Sequence, residues 1–288
     1  MNSKIQIGMN GRFFPSNWRS AREEIDFARA AGFESIQFPG PPGGLDAKRL
    51  GDKMAVVGDY LREAGITAVM EMPIYVWGNG RTAKGKAPIE ELHTNLPAIL
   101  ALGCTCVHWH IVLSDKTVPE ASQMQLEAGL IPQLQEAVEL AERHGFRFGL
   151  EHNEPEIALF PTPERCARVL TAVPQLGFVW DLNHTIPKHV AGFKALADRV
   201  SMVHVSDTPL PEVNHHLPLG QGKVDFVNYV RILLAAGFTG SAILEIGGLP
   251  KSDGYGQDTD EALRDSRLRL EKVLNAVFTT EGTEGTEI

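Results

Sequence analysis

Cysteine is scarce in this chain: Cys104, Cys106 and Cys166 stand among 288 residues, and no pair has C-x-x-C spacing. So sparse and odd a set makes neither a disulfide framework nor a thiolate zinc site, and it fits a reducing, cytoplasmic setting. Long hydrophobic runs are also missing, since none reaches the roughly 20 apolar residues that a membrane span needs. The opening MNSKIQIGMN has neither the apolar stretch nor the cleavage site of a secretory leader. Positive charge is in deficit, with 27 Lys and Arg against 36 Asp and Glu and a net charge of −9. A surface of that sign repels phosphate backbones, so neither nucleic acid nor membrane is expected as a partner. Finally, GMNGRFFPS, after the first strand-like run, lacks the G-x-G-x-x-G spacing of a dinucleotide loop. That absence counts against a doubly wound open sheet.

What the chain does have is a repeated beat. The segments AAGFESIQF (30–38), EAGITAVMEM (63–72), ALGCTCVHWH (101–110), ERHGFRFGLE (142–151) and AAGFTGSAILE (235–245) share one order: helix end, Gly, apolar run. A glycine just past a helix takes the left-handed conformation that stops it, and the apolar run that follows enters a buried strand. Adding KIQIGM, LGFVWDL and RVSMVHV gives strands near 4–9, 34–39, 68–72, 106–112, 146–151, 177–182, 200–206 and 241–246. Helical periodicity fills the gaps, most clearly over 119–144, where Leu126, Leu130, Leu134, Val138 and Ala141 share a face. The spacing predicts an α/β chain forming a single (β/α)₈ TIM barrel over 1–278. The polar, repetitive TTEGTEGTEI (279–288) reads as a flexible tail.

In such a barrel the active site lies at the C-terminal ends of the strands. Four consecutive apolar runs close on ligand-type side chains: Glu151, Asp181, His204 and Glu245. Neighbouring parallel strands lie about 4.8 Å apart, so the four fit on one arc. Unpaired carboxylates buried together repel, and a divalent cation removes that problem. Oxygen donors with one imidazole suit Mn²⁺, Mg²⁺, Co²⁺ or Zn²⁺, with Mn²⁺ slightly favoured. Each residue also has a plainer structural reading. A lone Glu caps or pairs, Asp181 can cap the following turn, and His204 can be a satisfied core histidine. Four such ends on successive strands favour the metal.

The motifs LEHN (150–153), WDLNH (180–184), VHVSD (203–207), H-x-P-L-G-x-G-x-V-D-F (216–226) and LE (244–245) resemble the xylose isomerase-like barrels. These include ketose 3-epimerases, hydroxypyruvate isomerase, inosose dehydratase and endonuclease IV. The resemblance spans roughly 5–275. It implies Glu151, Asp181, His204 and Glu245 as ligands of one divalent metal ion, His184 as the group that holds a substrate hydroxyl, and a homodimer or homotetramer. Gly220 and Gly222 belong to a turn that leads into the next helix, and His216 precedes it at the site's edge. Two departures stand out. Asn214-His215-His216 replaces the Asp-x-His of the endonuclease branch, against a trinuclear zinc cluster. TPLPEVN carries no basic residue after the strand 7 histidine.

Further candidates surround the mouth. His108 and His110 alternate with Val107 and Trp109 and share a face, which makes His110 a candidate contact for a ligand or a second metal. Glu71 closes the third strand as another inward candidate. His152 should point away from Glu151 and serve structure. The loop PIYVWGNGRTAKGKAP (73–88) has the length and glycine content of a lid, with Trp77 to cover a ligand and Arg81, Lys84 or Lys86 to meet an anionic group. Phe13, Phe14 and Trp109 are candidate apolar walls.

Glu151 and Glu245, from strands 5 and 8, are expected to act as the acid/base pair on a small carbohydrate-like hydroxy-carbonyl substrate, with His184, His110, His216 and Glu71 as its contacts. Epimerisation, isomerisation or dehydration of a polyol ketone would use the same site. A phosphodiesterase of the endonuclease IV type and a non-catalytic sugar- or metal-binding barrel are the alternatives.

Overall fold

A computed structural model describes residues 5–115 and 117–284. Its strands close into one barrel in chain order, every neighbour parallel. They are β1 (Gln6–Asn10), β2 (Ser35–Pro39), β3 (Thr67–Val76), β4 (Cys106–Leu113), β5 (Arg147–Glu151), β6 (Gly177–Asp181), β7 (Val200–Val205) and β8 (Ser241–Leu244). The helices on the outside are α1 (Ala21–Ala31), α2 (Ala47–Leu50), α3 (Met54–Ala64), α4 (Pro88–Leu102), α5 (Glu120–His144), α6 (Pro163–Ala172), α7 (Val190–Lys194), α8 (Phe226–Ala235) and α9 (Asp260–Glu284). Every strand expected from the sequence is present, each within a few residues of its expected bounds; the exception is β3, which runs four residues further. Lys4, at the start of the expected first strand, lies outside the described residues. α9 runs to Glu284, into the segment read as a tail, and residues 285–288 lie outside the description.

The repeated glycine does the work assigned to it. Gly32 ends α1 at φ 81° and Gly145 ends α5 at φ 77°, both left-handed. In each case the next residue's N–H returns to the helix, from Phe33 to Ala28 and from Phe146 to Ala141. The chain therefore reverses within one or two residues and feeds an apolar side chain into the layer between helices and barrel.

The barrel interior explains why the site is where it is. Val69, Cys106, Val179, Met202 and Ile243 form an apolar plug inside the barrel. Side chains two residues apart share a face of a strand. One step above this plug come Glu71, His108, Asp181, His204 and Glu245, with Glu151 across from Val179 in register. The two-residue period thus stacks a polar layer on an apolar one. The larger core lies between strands and helices, anchored by Trp109, Phe148, Phe178, Trp180 and Phe193.

Candidate metal and substrate site

His204 stands at the centre of the polar layer. Its Nε2 lies 2.9 Å from Gln37 Oε1, an acceptor, so Nε2 carries the hydrogen. Its Nδ1 faces Glu151 Oε1 at 3.0 Å, Glu245 Oε2 at 3.3 Å and Asp181 Oδ2 at 4.0 Å. Three carboxylates from separate strand ends therefore point at one ring nitrogen. Burial pushes His204 down, but Glu245, Glu151 and Asp181 outweigh it and raise the imidazole to about 10. In the chain by itself this imidazolium is the positive charge that the carboxylates surround.

The two oxygens of Asp181 are placed differently, and one of them makes the turn cap expected of it. Its Oδ1 accepts the backbone N–H groups of Asn183 at 2.6 Å and His184 at 3.2 Å, capping the turn after β6. Its Oδ2 is buried and has no hydrogen-bond partner. A fully buried carboxylate oxygen without a hydrogen bond is costly, even with the His184 and His204 rings 3.4 and 4.0 Å away. This orphan is the observation that a cation between Asp181, His204, Glu151 and Glu245 would explain. Asp181, His204 and Glu245 offer ligand atoms that lie within 4.8 Å of one another, and so do two sets that include Glu151: His108–Glu151–His204 and His110–Glu151–His184. Oxygen donors with an imidazole match the hard to borderline divalent ions.

The two glutamates differ electrostatically. Burial would raise Glu151, yet His110, His204 and His108 together hold it well below the usual carboxylate range. Glu245 goes the other way. Burial, opposed by His204 but reinforced by Glu71, Glu151 and Asp181, holds it well above that range.

The proposed substrate contacts all reach one cavity of about 800 Å³ at the barrel mouth, which Glu71, His110, His184, His216 and Glu245 line. His110 sits between Glu71 Oε1, 3.3 Å from Nδ1, and Asn153 Oδ1, 2.7 Å from Nε2. The Asn153 amide is fixed, because its nitrogen donates to Ile111 O and Leu159 O. Both ring nitrogens thus face acceptors. Burial opposes charge on His110, but Glu151 and Glu71 overcome it and raise the ring well above its ordinary value. His184 Nδ1 lies 3.4 Å from Asp181 Oδ2, and its Nε2 faces Glu154. His216 adopts φ 51° and its Nδ1 bonds the Glu245 carbonyl at 2.9 Å. His152 turns from the cavity, as expected, with its ring nitrogens near the carbonyls of Asn153 and Asp181.

The turn after β7 is built on Asp207, whose carboxylate accepts the N–H groups of Thr208, Gly220 and Val224. Gly222 is required there by space, since a Cβ would lie 2.3 Å from Asp207 Oδ1 and 2.4 Å from Thr208 O.

Three expectations fail. The first four residues of the supposed lid, Pro73–Val76, continue β3 beside β4, because Ile74 and Val76 are buried. None of Trp77, Arg81, Lys84 and Lys86 lines the cavity. Arg81 bonds Gly85 O within its own loop, and Lys86 pairs with Glu91 at 3.7 Å. Of the candidate apolar walls only Phe14 faces the cavity. Phe13 stacks on Phe38 at 5.0 Å and Trp109 meets Phe148 edge-on at 5.0 Å, both in the core.

Sequence reasoning also missed residues. Gln37 Nε2 donates to Glu245 Oε1 at 2.7 Å and to Glu71 Oε2 at 3.0 Å, so one amide ties three site residues together. Asn10 reaches Glu245 Oε1 at 3.4 Å. Asn214, at φ 60°, donates to Glu154. The available signal was an amide inside the apolar run SIQFP and another closing QIGMN.

Residues 25–272 match the family described as the xylose isomerase-like TIM barrel, and the chain belongs to that family. The comparison with curated proteins returns no match. Among solved structures, L-ribulose 3-epimerase is similar with a TM-score of 0.78 at 16% identity, over 98% of this chain and 99% of that one. D-allulose 3-epimerase from Methylomonas sp. gives 0.74 at 18% identity, over 94% and 99%. A 3-keto-D-glucoside 4-epimerase from E. coli gives 0.72 at 17% identity, over 93% and 100%. At such identities the likeness is one of fold.

Proposed function

We propose that this chain is a divalent-metal-dependent sugar epimerase or isomerase that abstracts a proton next to the carbonyl of a ketose or small hydroxy-carbonyl compound. One observation carries the reading. Glu151, at the end of β5, and Glu245, just past β8, both approach His204 Nδ1, at 3.0 and 3.3 Å, and Glu245 also lines the cavity. The names of the three structural neighbours, all sugar epimerases, support it.

The residues that would hold the ion are Glu151, Asp181, His204 and Glu245. The chemistry a bound divalent cation supplies at such a place is polarisation of the substrate carbonyl, which acidifies the adjacent C–H. Glu151 is the base that removes this proton and Glu245 the acid that returns one from the other side. Return to the opposite face of the same carbon inverts it. Return to the neighbouring carbon exchanges aldose and ketose. Loss of a neighbouring hydroxyl would give dehydration from the same first step. His184, beside Glu151 and Asp181, orients a substrate hydroxyl, and Glu71, His110 and His216 complete the polar wall. The Gln37 amide holds Glu245 and His204 in place, so the acid does not swing out of reach.

Incubation in D₂O with a panel of ketoses and hydroxy-keto compounds tests the proposal. Metal-loaded protein should place deuterium on the carbon next to the carbonyl of at least one compound. Absence of exchange across the panel, with one divalent ion bound per chain, overturns it.

A further inference from the structure

Resting on the reading of the mouth as a sugar site, we propose that its substrate is an uncharged saccharide of two rings, with the second ring held against an aromatic rim formed by Phe14, Tyr75 and Tyr255.

Charge is the first argument. The cavity wall, among the described residues, carries no lysine or arginine, while Glu71, Glu154, Glu245 and Asp258 all face it. Its imidazoles face partners already: His110 with Glu71 and Asn153, His184 with Asp181 and Glu154, and His216 with the Glu245 carbonyl. Away from the ion proposed at the floor, a phosphate or carboxylate would meet Glu71, Glu154 and Asp258 with no lysine or arginine on the wall to pair it, which costs affinity. Of the loop cations, Arg81 and Lys86 are bonded elsewhere, and Lys84 does not line the cavity.

Size is the second. The cavity measures about 800 Å³. A hexose at close-packed organic density occupies roughly 200 Å³. The polar floor between Glu71, His184 and Glu245 accounts for one ring, and room for another remains above it.

The rim is the third. Phe14, Tyr75 and Tyr255 are 39%, 56% and 64% exposed, yet each lines this cavity. Large aromatics left open to water beside a polar floor mark a binding surface. A flat ring with an edge for hydrogen bonding suits the C–H face of a sugar. Phe14 follows β1 and Tyr255 follows β8, which are paired strands, while Tyr75 rises from β3 further round the mouth. The first two loops are fastened together. Asn17 donates to Asp258 at 2.6 Å, and Arg12 bonds both Asp258 O and Asp260. The rim is thus held ready, which lowers the ordering cost of binding.

Calorimetric titration of metal-loaded protein tests this with D-fructose, D-fructose 6-phosphate and three ketose disaccharides: lactulose, turanose and isomaltulose. At least one disaccharide should bind tenfold or more tighter than D-fructose, and the phosphate ester no tighter than D-fructose. Tyr75→Ala and Tyr255→Ala, both at exposed positions, should each cut the disaccharide-to-fructose affinity ratio about tenfold, or ~1.4 kcal/mol. The proposal falls if no disaccharide outbinds D-fructose, if the phosphate ester binds best, or if the variants leave the ratio unchanged. Deuterium exchange separates it from the catalytic reading. Preferential disaccharide binding without exchange sinks the catalytic reading alone, and exchange with a monosaccharide that outbinds every disaccharide sinks this one alone.

Discussion

Gln37 and His204, 167 residues apart in sequence, meet at 2.9 Å, with the amide oxygen facing the imidazole Nε2. That bond fixes the tautomer and aims Nδ1 at Glu151, Glu245 and Asp181. Partners of this kind raise metal affinity by setting the ligand's orientation. Gln37→Leu should therefore weaken divalent-metal binding on the order of 10- to 100-fold while the fold survives. Competition with a chromogenic chelator, alongside circular dichroism, measures both. Unchanged affinity would remove Gln37 from the site.

Glu151→Gln and Glu245→Gln should each slow deuterium exchange by at least about 100-fold when measured at saturating metal. The comparison uses the rate at full metal occupancy, so that loss of a ligand is not mistaken for loss of an acid or base. An exchange rate near that of the parent in either variant would take that glutamate out of the acid/base pair.

Metal binding should release protons. His204 is held at about 10 in the metal-free chain, above the roughly 6.5 of an unfolded histidine. A raised value means that its contribution to stability is full below about 6.5 and is lost as pH rises through about 10. The chelated protein should accordingly melt at lower temperature as pH climbs across that window, and a bound divalent ion should reduce the loss. Calorimetry at pH 8 in buffers of different ionisation enthalpy should show proton release on binding. No release would mean that His204 is not displaced from its protonated form.

His152 works in the opposite direction. Burial, with His184 adding to it, lowers this imidazole to about 4. A depressed histidine is neutral when folded, so stability is full above about 6.5 and falls as pH drops toward 4. His152→Gln should flatten that acid limb in thermal melts recorded between pH 7 and 4. A limb of unchanged slope would assign it to other groups.

The turn after β7 predicts stability. Asp207→Ala strips three backbone N–H groups of a charged acceptor and should cost roughly 3 kcal/mol. Gly222→Ala drives a methyl into Thr208 and should cost about 1–3 kcal/mol. Denaturant titration checks both, and a neutral result for Gly222→Ala would require the turn to yield.

Much was legible without coordinates, because periodicities are local. The glycine after a helix, the apolar run that follows it and the carboxylate or histidine that closes a run lie within about ten residues of one another. Barrel, strand order and the arc Glu151–Asp181–His204–Glu245 follow from them. The failures are also instructive. PIYV alternates buried and open residues and could have been read as strand, but its glycine-rich sequel suggested a loop. Arg81 and Lys86 have the right charge for a lid but find partners close by.

The sequence by itself determined where the strands lie and, β3 excepted, roughly where they end, since the two-residue period and helix-stopping glycines are written in the chain. Tertiary structure alone decided that the Gln37 amide ties Glu71, Glu245 and His204 together, that one oxygen of Asp181 is left without a hydrogen bond, and that Phe14, Tyr75 and Tyr255 share a rim. Those relations join β1, β2, β3, β6, β7 and β8 across the barrel. Only closure of the sheet brings such distant side chains within a few ångströms, where hydrogen bonds and charge act.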